Sequence, residues 1–310
     1  MSKKQTYKIR NWKDYNKSLV NRGSLTVWFD KNSIANWYNK ERTGKKGRPV
    51  LYSDASIQCC LTLKALFKMP LRSTQGFVSS LLELLGLNIK APDYSSLSLR
   101  QKNLEIELPK SNDKLGSMHL VVDSTGAKLY GEGEWKVRMH GKSKRRSWLK
   151  IHLGINEKTK DIEASVLTSD NVHDCEVRQD IVDQVDGDIY QLTGDGAYDT
   201  HDSYMTAVDA GAKPCFPPRE NAKRHKAKDE GWRLRNHAVS EVRYKGSKFW
   251  KQKNNYHRRS IAENAMFRFK QLFGDKISAR TFDRQATEVQ IKCCIINKIN
   301  TLGMPVSVAA

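Results

Sequence analysis

The sequence predicts an α/β chain in which a mixed sheet flanked by helices follows a helical N-terminal region. Three observations carry this reading. Apolar residues recur at helical spacing between Ser53 and Leu104; from Met118 to Leu167 they change to short alternating or wholly apolar runs; from Val177 onward strand-like and helix-like segments alternate. A length of 310 residues accommodates one large or two ordinary domains.

Residues 1–52 form a basic region dotted with aromatics (Tyr7, Trp12, Tyr15, Trp28, Phe29, Trp37, Tyr38). Its stretch Lys45-Lys46-Gly47-Arg48-Pro49 has the Arg-beside-Gly character of a minor-groove arm, although Val50 stands where a second Arg would complete one. A solvated linker is the competing reading. In residues 53–116 one helix is predicted from Ile57, Leu61 and Ala65, and a second from Phe77, Leu81, Leu84 and Leu85, stopped by Gly86. A third, capped by Asp93, runs through Leu97 and Arg100. Three short helices with exposed basic residues fit a helix-turn-helix DNA reader and also any small bundle.

Residues 117–275 are expected to form the sheet domain. Strands are predicted at 118–122, 135–139, 149–155 and 162–167, with short turns that favour antiparallel pairing. A helix through Val177, Ile181, Val182 and Val185 follows, then a strand at 189–192, a helix at 197–210 and a strand at 212–216. Residues 217–255, rich in Pro, Lys and Arg, read as a basic loop. Helical spacing returns over 256–273 and again over 284–301, within a C-terminal helix and tail at 276–310.

The net charge of +20 implies a polyanionic partner, most simply nucleic acid. It is unevenly laid out: +10 over 1–50, −11 over 151–212 and +12 over 213–270. Basic segments around an acidic block suit a chain that holds a phosphate backbone and collects divalent cations, whereas a solvated acidic face is the plainer alternative. No run approaches the roughly 20 apolar residues of a membrane span, and the first 50 residues have no apolar signal core. A soluble, cytoplasmic, nucleoid-associated protein without membrane partners is expected. Six cysteines without a C-x-x-C spacing read as reduced core thiols.

Two aspartates follow predicted strands. Asp123, in Val121-Val122-Asp123-Ser124-Thr125-Gly126, is placed at the carboxyl end of the first; Asp195, in Gly194-Asp195-Gly196-Ala197-Tyr198-Asp199, follows another between two glycines. Open α/β sheets bind ligands at such ends, and an isolated Asp there also serves as a cap. The 256–273 helix weights the choice. At about 100° per residue Tyr256, Arg259, Glu263 and Lys270 fall within a band about 60° wide, opposite Ile261, Ala265, Met266, Phe269, Leu272 and Phe273. Four positions after Glu263 stands Phe267 rather than a base, so an ordinary helical ion pair is not expected. Two Asp and one Glu supply the hard oxygens that Mg²⁺ prefers in two-ion phosphoryl transfer, with Arg259, Lys270 and Tyr256 placed for phosphates.

These motifs resemble those of bacterial insertion-sequence transposases of the D-D-E type, in particular the insertion sequence five family. Its Tyr-x2-Arg-x3-Glu-x6-Lys signature (the Y-R-E-K group) is met by Tyr256, Arg259, Glu263 and Lys270. The segments around Asp123 and Asp195, and Pro217-Pro218-Arg219-Glu220-Asn221-Ala222, are similar too, with Glu220 where a basic residue is expected. The resemblance implies an RNase H-like sheet domain and a catalytic, metal-binding triad of Asp123, Asp195 and Glu263 holding two Mg²⁺, for which Mn²⁺ can substitute. It further implies binding of double-stranded DNA at terminal inverted repeats, cleavage to 3′-hydroxyls and joining to target DNA by a homo-oligomer. A nuclease that only hydrolyses DNA and a non-catalytic DNA-binding repressor are the rival readings. Arg258, the turn residues Lys144, Arg145 and Arg146, and Lys45, Lys46 and Arg48 are further candidate DNA contacts. Trp250 is the candidate for stacking on an unpaired base.

Overall fold

The computed structural model describes residues 7–40, 50–109, 116–129 and 148–309. The chain divides into two compact units, residues 1–109 with 294–310, and residues 110–293. The first begins with strand β1 (Tyr7–Ile9) and helices α1 (Trp12–Asn21), α2 (Leu25–Trp28) and α3 (Lys31–Ala35). Helices α4 (Asp54–Leu66), α5 (Leu71–Leu84) and α6 (Tyr94–Arg100) then fall where the apolar spacing puts them. Side chains just ahead satisfy the free N–H groups of their first turns: Ser53 Oγ accepts from Ser56 N, and Asp93 Oδ1 from Ser95 N and Ser96 N. Three of the N-terminal aromatics supply core, while Tyr7 and Trp12 are exposed. Trp28, Phe29 and Trp37 are buried, Phe29 meets Trp37 edge-on with centroids 5.8 Å apart, and the Trp37 indole donates to Lys90 O at 2.8 Å.

The second unit contains β2 (Met118–Leu129), β3 (Trp148–Asn156), β4 (Ile162–Ser169), α7 (Arg178–Val182), β5 (Ile189–Thr193), α8 (His201–Asp209) and β6 (Lys213–Cys215). After these come α9 (Glu230–Lys245), α10 (Ser247–Lys253), α11 (Ser260–Phe273), β7 (Lys276–Ile277) and α12 (Phe282–Leu302), of which the residues from Cys294 on belong to the first unit. Strand β8 (Ser307–Ala309) pairs antiparallel with β1 in the first unit. The large sheet has the order β4-β3-β2-β5-β6, with β7 also on β2. Pairings β2–β3 and β3–β4 are antiparallel, and β2–β5, β5–β6 and β2–β7 are parallel. Leu120 and Val122 point to the face covered by Ile181, Tyr198, Tyr204 and Phe216, and α11 packs on β2 and β3. This is the mixed, helix-flanked sheet of the RNase H-like fold that the sequence resemblance implies.

Three expectations are corrected. Strand β2 does not stop at Asp123 but runs on to Leu129, because β3 pairs with it continuously from Leu120 to Lys128. The stretch read as a basic loop contains α9 and α10, separated by Gly246 at φ +86°. The predicted helix over 197–210 is a three-residue 3₁₀ turn, Gly196–Tyr198, followed by α8, which Thr200 caps through Ser203 N. The expected strand at 135–139 and the turn holding Lys144, Arg145 and Arg146 lie outside the described residues, as do Lys45, Lys46 and Arg48.

Candidate active site

Register brings the two aspartates together. Val121 of β2 is paired with Thr193 of the parallel neighbour β5, and Asp123 and Asp195 each lie two residues further on. The ladder stops short of both, Asp195 lying in the loop after β5; burial and then the charges of Asp174, Asp195 and Asp123 raise the Tyr198 phenol, so both carboxylates lie within electrostatic reach of one ring. Pairing of β5 with β2 ends at Thr193 and Val121, and β7 takes up the same edge only at Lys128. Asp123 sits in the notch between them. Asp195 is extended, and its Oδ1 accepts from Ala197 N at 2.8 Å, so the carboxylate caps the short 3₁₀ turn. Gly194 makes that turn possible: a Cβ there would lie 2.6 Å from the ring of buried Tyr198.

Helix α11 delivers the third acid. Ala262, Ala265, Met266, Phe269 and Phe273 are buried, leaving Glu263 and Lys270 on the outer side with exposed Phe267. The preceding 3₁₀ turn, Tyr256–Arg259, places Arg259 between two carboxylates. Its Nη1 donates to Asp123 Oδ2 at 2.7 Å and its Nη2 to Glu263 Oε1 at 3.0 Å. The helical ion pair not expected from Phe267 is therefore present on the other side of Glu263, four residues before it. Lys270 lines a crevice with Thr125, Gly126 and Ala127 of β2.

Electrostatics bind this group into a unit. Burial works against the charge of Arg259, but Asp123, then Tyr256 and Glu263, outweigh it and hold the guanidinium protonated more firmly than usual. Burial raises the Tyr256 phenol; Arg259 opposes this and the Asp195 charge adds to it, so the ring lies within electrostatic reach of both. Behind the site, Ser124 Oγ donates to Asp174 at 2.9 Å and Lys150 Nζ reaches the same carboxylate at 3.3 Å. Among the described residues no three acid, histidine or cysteine side chains form a ready-made metal cluster. Asp123 and Glu263 are spanned by a guanidinium instead.

Other candidates fare differently. Arg258 forms an ion pair with Glu157. Trp250 cannot act as a stacking platform: it is 3% exposed, in a core with Cys215 and Ala238 and against Tyr256. Helical phase explains this, since α10 turns Phe249 and Lys251 outward and Trp250 inward. The sequence reading did not assign Arg219, Asp199 or Arg235, although the first two stand within motifs it singled out. Arg219 donates to the carbonyls of Gly196 and Ala197, and Arg235 pairs with Asp199.

The fold is RNase H-like, with Asp123 on β2, Asp195 just beyond β5 and Glu263 on α11. Residues 114–298 match the protein-family model described as Transposase DDE domain, and residues 20–132 match a second model of the same description. The chain belongs to the DDE transposase family. Members act on DNA as nucleases and transposases and generally use divalent metal ions. Among the described residues no helix is long and apolar enough to cross a membrane.

Proposed function

We propose that this transposase belongs to the insertion sequence five family, Y-R-E-K group, and that a homo-oligomer binds the element's terminal inverted repeats. It cleaves them to 3′-hydroxyl ends and joins those ends to target DNA, with Asp123, Asp195 and Glu263 as the catalytic, metal-holding acids. The observation that supports this reading best is Arg259 held between Asp123 and Glu263, with Asp195 in the loop directly after the strand that pairs with β2 just ahead of Asp123.

The donor set fits Mg²⁺. It is made of carboxylate oxygens alone, hard ligands that leave room for water and phosphate, and it already stabilises one cation, Arg259. Two bound Mg²⁺, or Mn²⁺ in their place, supply activation of the attacking oxygen and stabilisation of the leaving one. The chain's own residues hold and orient the DNA. Arg259 leaves Asp123 and Glu263 for a phosphate, which it grips bidentately; Lys270, from the same side of α11, contributes a point charge; the Tyr256 hydroxyl donates to a phosphate oxygen. The helices within 53–116 read the repeat, and Lys45, Lys46, Arg48, Lys144, Arg145, Arg146 and Arg258 add backbone contacts. A nucleoid location follows from this partner.

The test incubates the protein with DNA carrying the terminal repeats and Mg²⁺ and looks for 3′ nicks and joined products. Asp123→Asn, Asp195→Asn and Glu263→Gln are each expected to lower cleavage by about 10³-fold or more, matching loss of several kcal/mol of charge stabilisation. Intact cleavage in any of the three removes that residue from the site. Nicks without joined products in the wild type reduce the activity to hydrolysis.

A further inference from the structure

The loop after β5 carries Asp195 but has little regular structure of its own. Its one 3₁₀ turn spans three residues and is closed by Asp199 N donating to Gly196 O at 3.3 Å, and the carbonyls of Gly196 and Ala197 are reached by a further donor. Both are taken up by one side chain: Arg219 Nε donates to Gly196 O at 2.9 Å and Arg219 Nη2 to Ala197 O at 3.1 Å. The Ala197 residue so held is the one whose N–H binds the Asp195 carboxylate. Arg219 is anchored in turn, because its backbone N–H donates to Asp199 Oδ2 at 3.1 Å.

That same oxygen accepts from Arg235 Nη2 of α9 at 2.9 Å, in a pair whose side chains are 0% and 8% exposed. Arg235 Nη1 also donates to Lys223 O. The loop, the 217–223 segment and α9 are therefore tied at both ends of the turn, with the Tyr198 ring wedged against Gly194 on the inner side.

We propose that Arg219 is a positioning residue that sets the direction of the Asp195 carboxylate, with the buried Asp199–Arg235 pair as its anchor. The proposal rests on reading Asp195 as a metal-holding acid. Arg219 touches neither DNA nor metal in this role; it acts through the peptide units on either side of Ala197. Groups that orient a metal-binding carboxylate in this way typically contribute 10–100-fold to metal affinity.

The experiment measures Mn²⁺ binding to the full chain without DNA, by titration calorimetry and by the loss of the free-ion electron paramagnetic resonance signal. Arg219→Ala, Arg219→Lys and Asp195→Asn are compared with wild type. Because Arg219 is exposed, its removal leaves the core intact. Arg219→Ala is expected to bind Mn²⁺ about tenfold more weakly, with melting temperature and DNA affinity in chelator unchanged. Its cleavage loss should be recovered by raising Mn²⁺, with KM for DNA unaltered. Arg219→Lys, able to serve one carbonyl, is expected to fall between.

Wild-type Mn²⁺ affinity in Arg219→Ala, alongside weakened binding in Asp195→Asn, overturns the proposal and leaves the site standing. Unchanged binding in Asp195→Asn as well overturns both. Weaker Mn²⁺ binding accompanied by an equal loss of DNA affinity and a lowered melting temperature also overturns it, as a sign of general unfolding.

Discussion

Under the proposed function Arg259 serves two states of the site. Asp123 and Glu263 are brought close by β2 and α11, and two carboxylates on one face repel unless a cation stands between them; the guanidinium meets that need at 2.7 and 3.0 Å. The sequence predicts one helical face for Tyr256, Arg259, Glu263 and Lys270; in the structure Glu263 and Lys270 lie on the exposed side of α11, while Tyr256 and Arg259 fall in the 3₁₀ turn ahead of it. The sequence did not show the partner of Arg259, since Asp123 is 136 residues away and nothing in a helical pattern encodes it. The pairing gives a prediction with opposite signs in two assays. Arg259→Gln is expected to bind Mn²⁺ more tightly than wild type in the absence of DNA, because the acids lose their internal counterion. It should bind transposon ends more weakly, with the salt slope of log K reduced by about one. Weaker Mn²⁺ binding in that assay contradicts the exchange of cations. Gly194 is a second residue-scale case: Gly194→Ala drives a methyl into the Tyr198 ring, and overpacking of this kind costs about 1–3 kcal/mol. A lowered melting temperature together with reduced cleavage is expected; wild-type behaviour in both shows that the turn can yield.

At the scale of elements, legibility followed how apolar the buried face is. Helices α4, α5 and α11 bury mainly Ile, Leu, Val, Ala, Met and Phe together with a few small polar or thiol residues, and their spacing is plain in the sequence. Helix α9 buries Arg235, Asn236 and Glu241 beside Gly231, Ala238 and Val239, so it has no apolar stripe to find. Its polar stripe is satisfied at a distance: Arg235 by Asp199, Glu241 by Lys253, and Asn236 by both backbone groups of His225. Strand β2 was read short for a related reason. Beyond Asp123 it continues as Ser124, Thr125, Gly126, Ala127 and Lys128, a sequence that is a strand only because β3 hydrogen-bonds to it. The cap of α6, in contrast, is a local signal and was legible as Asp93. Asp93→Ala is expected to destabilise the first unit by about 1 kcal/mol. Hydrogen bonds from Ser95 and Ser96 hold this carboxyl down to about 2, below its ordinary 3.8, so the cap is in force above pH 3.8 and is lost as pH falls through about 2. Urea midpoints of wild type and Asp93→Ala should therefore differ at pH 6 and converge near pH 2.

For the whole molecule, net charge overstates what is available to DNA. Part of the positive charge of 213–270 is spent inside the second unit, Arg235 on Asp199 and Lys253 on Glu241, while Arg258 and Arg259 rest on Glu157 and Asp123, pairs that the proposed DNA contacts must displace. Two of these acids, Asp199 and Glu157, come from the negative stretch, so basic and acidic segments that look separate along the chain partly neutralise one another in the fold. The sheet carries a further electrostatic constraint in two buried histidines. His119 donates to or accepts from Thr193 at 2.7 Å, and His152 stands in the same relation to Thr168 at 2.8 Å. Burial lowers both from 6.5 to about 4; Arg258 adds to this at His119, while at His152 Asp174 opposes it and Lys150 supports it. Between pH 6.5 and 4 the unfolded chain therefore binds protons that the folded sheet refuses. Stability is whole above pH 6.5 and falls as the pH drops toward 4, by up to about 1.4 kcal/mol per pH unit for each histidine. The check is the urea midpoint between pH 7 and pH 5, above the range where most carboxylates titrate. Wild type should lose stability steeply over that interval. His152→Gln, which keeps a partner for Thr168 and cannot take up a proton, should lose about half as much, and His119→Gln with His152→Gln should be nearly flat. A slope that both substitutions leave untouched assigns the acid sensitivity to other groups.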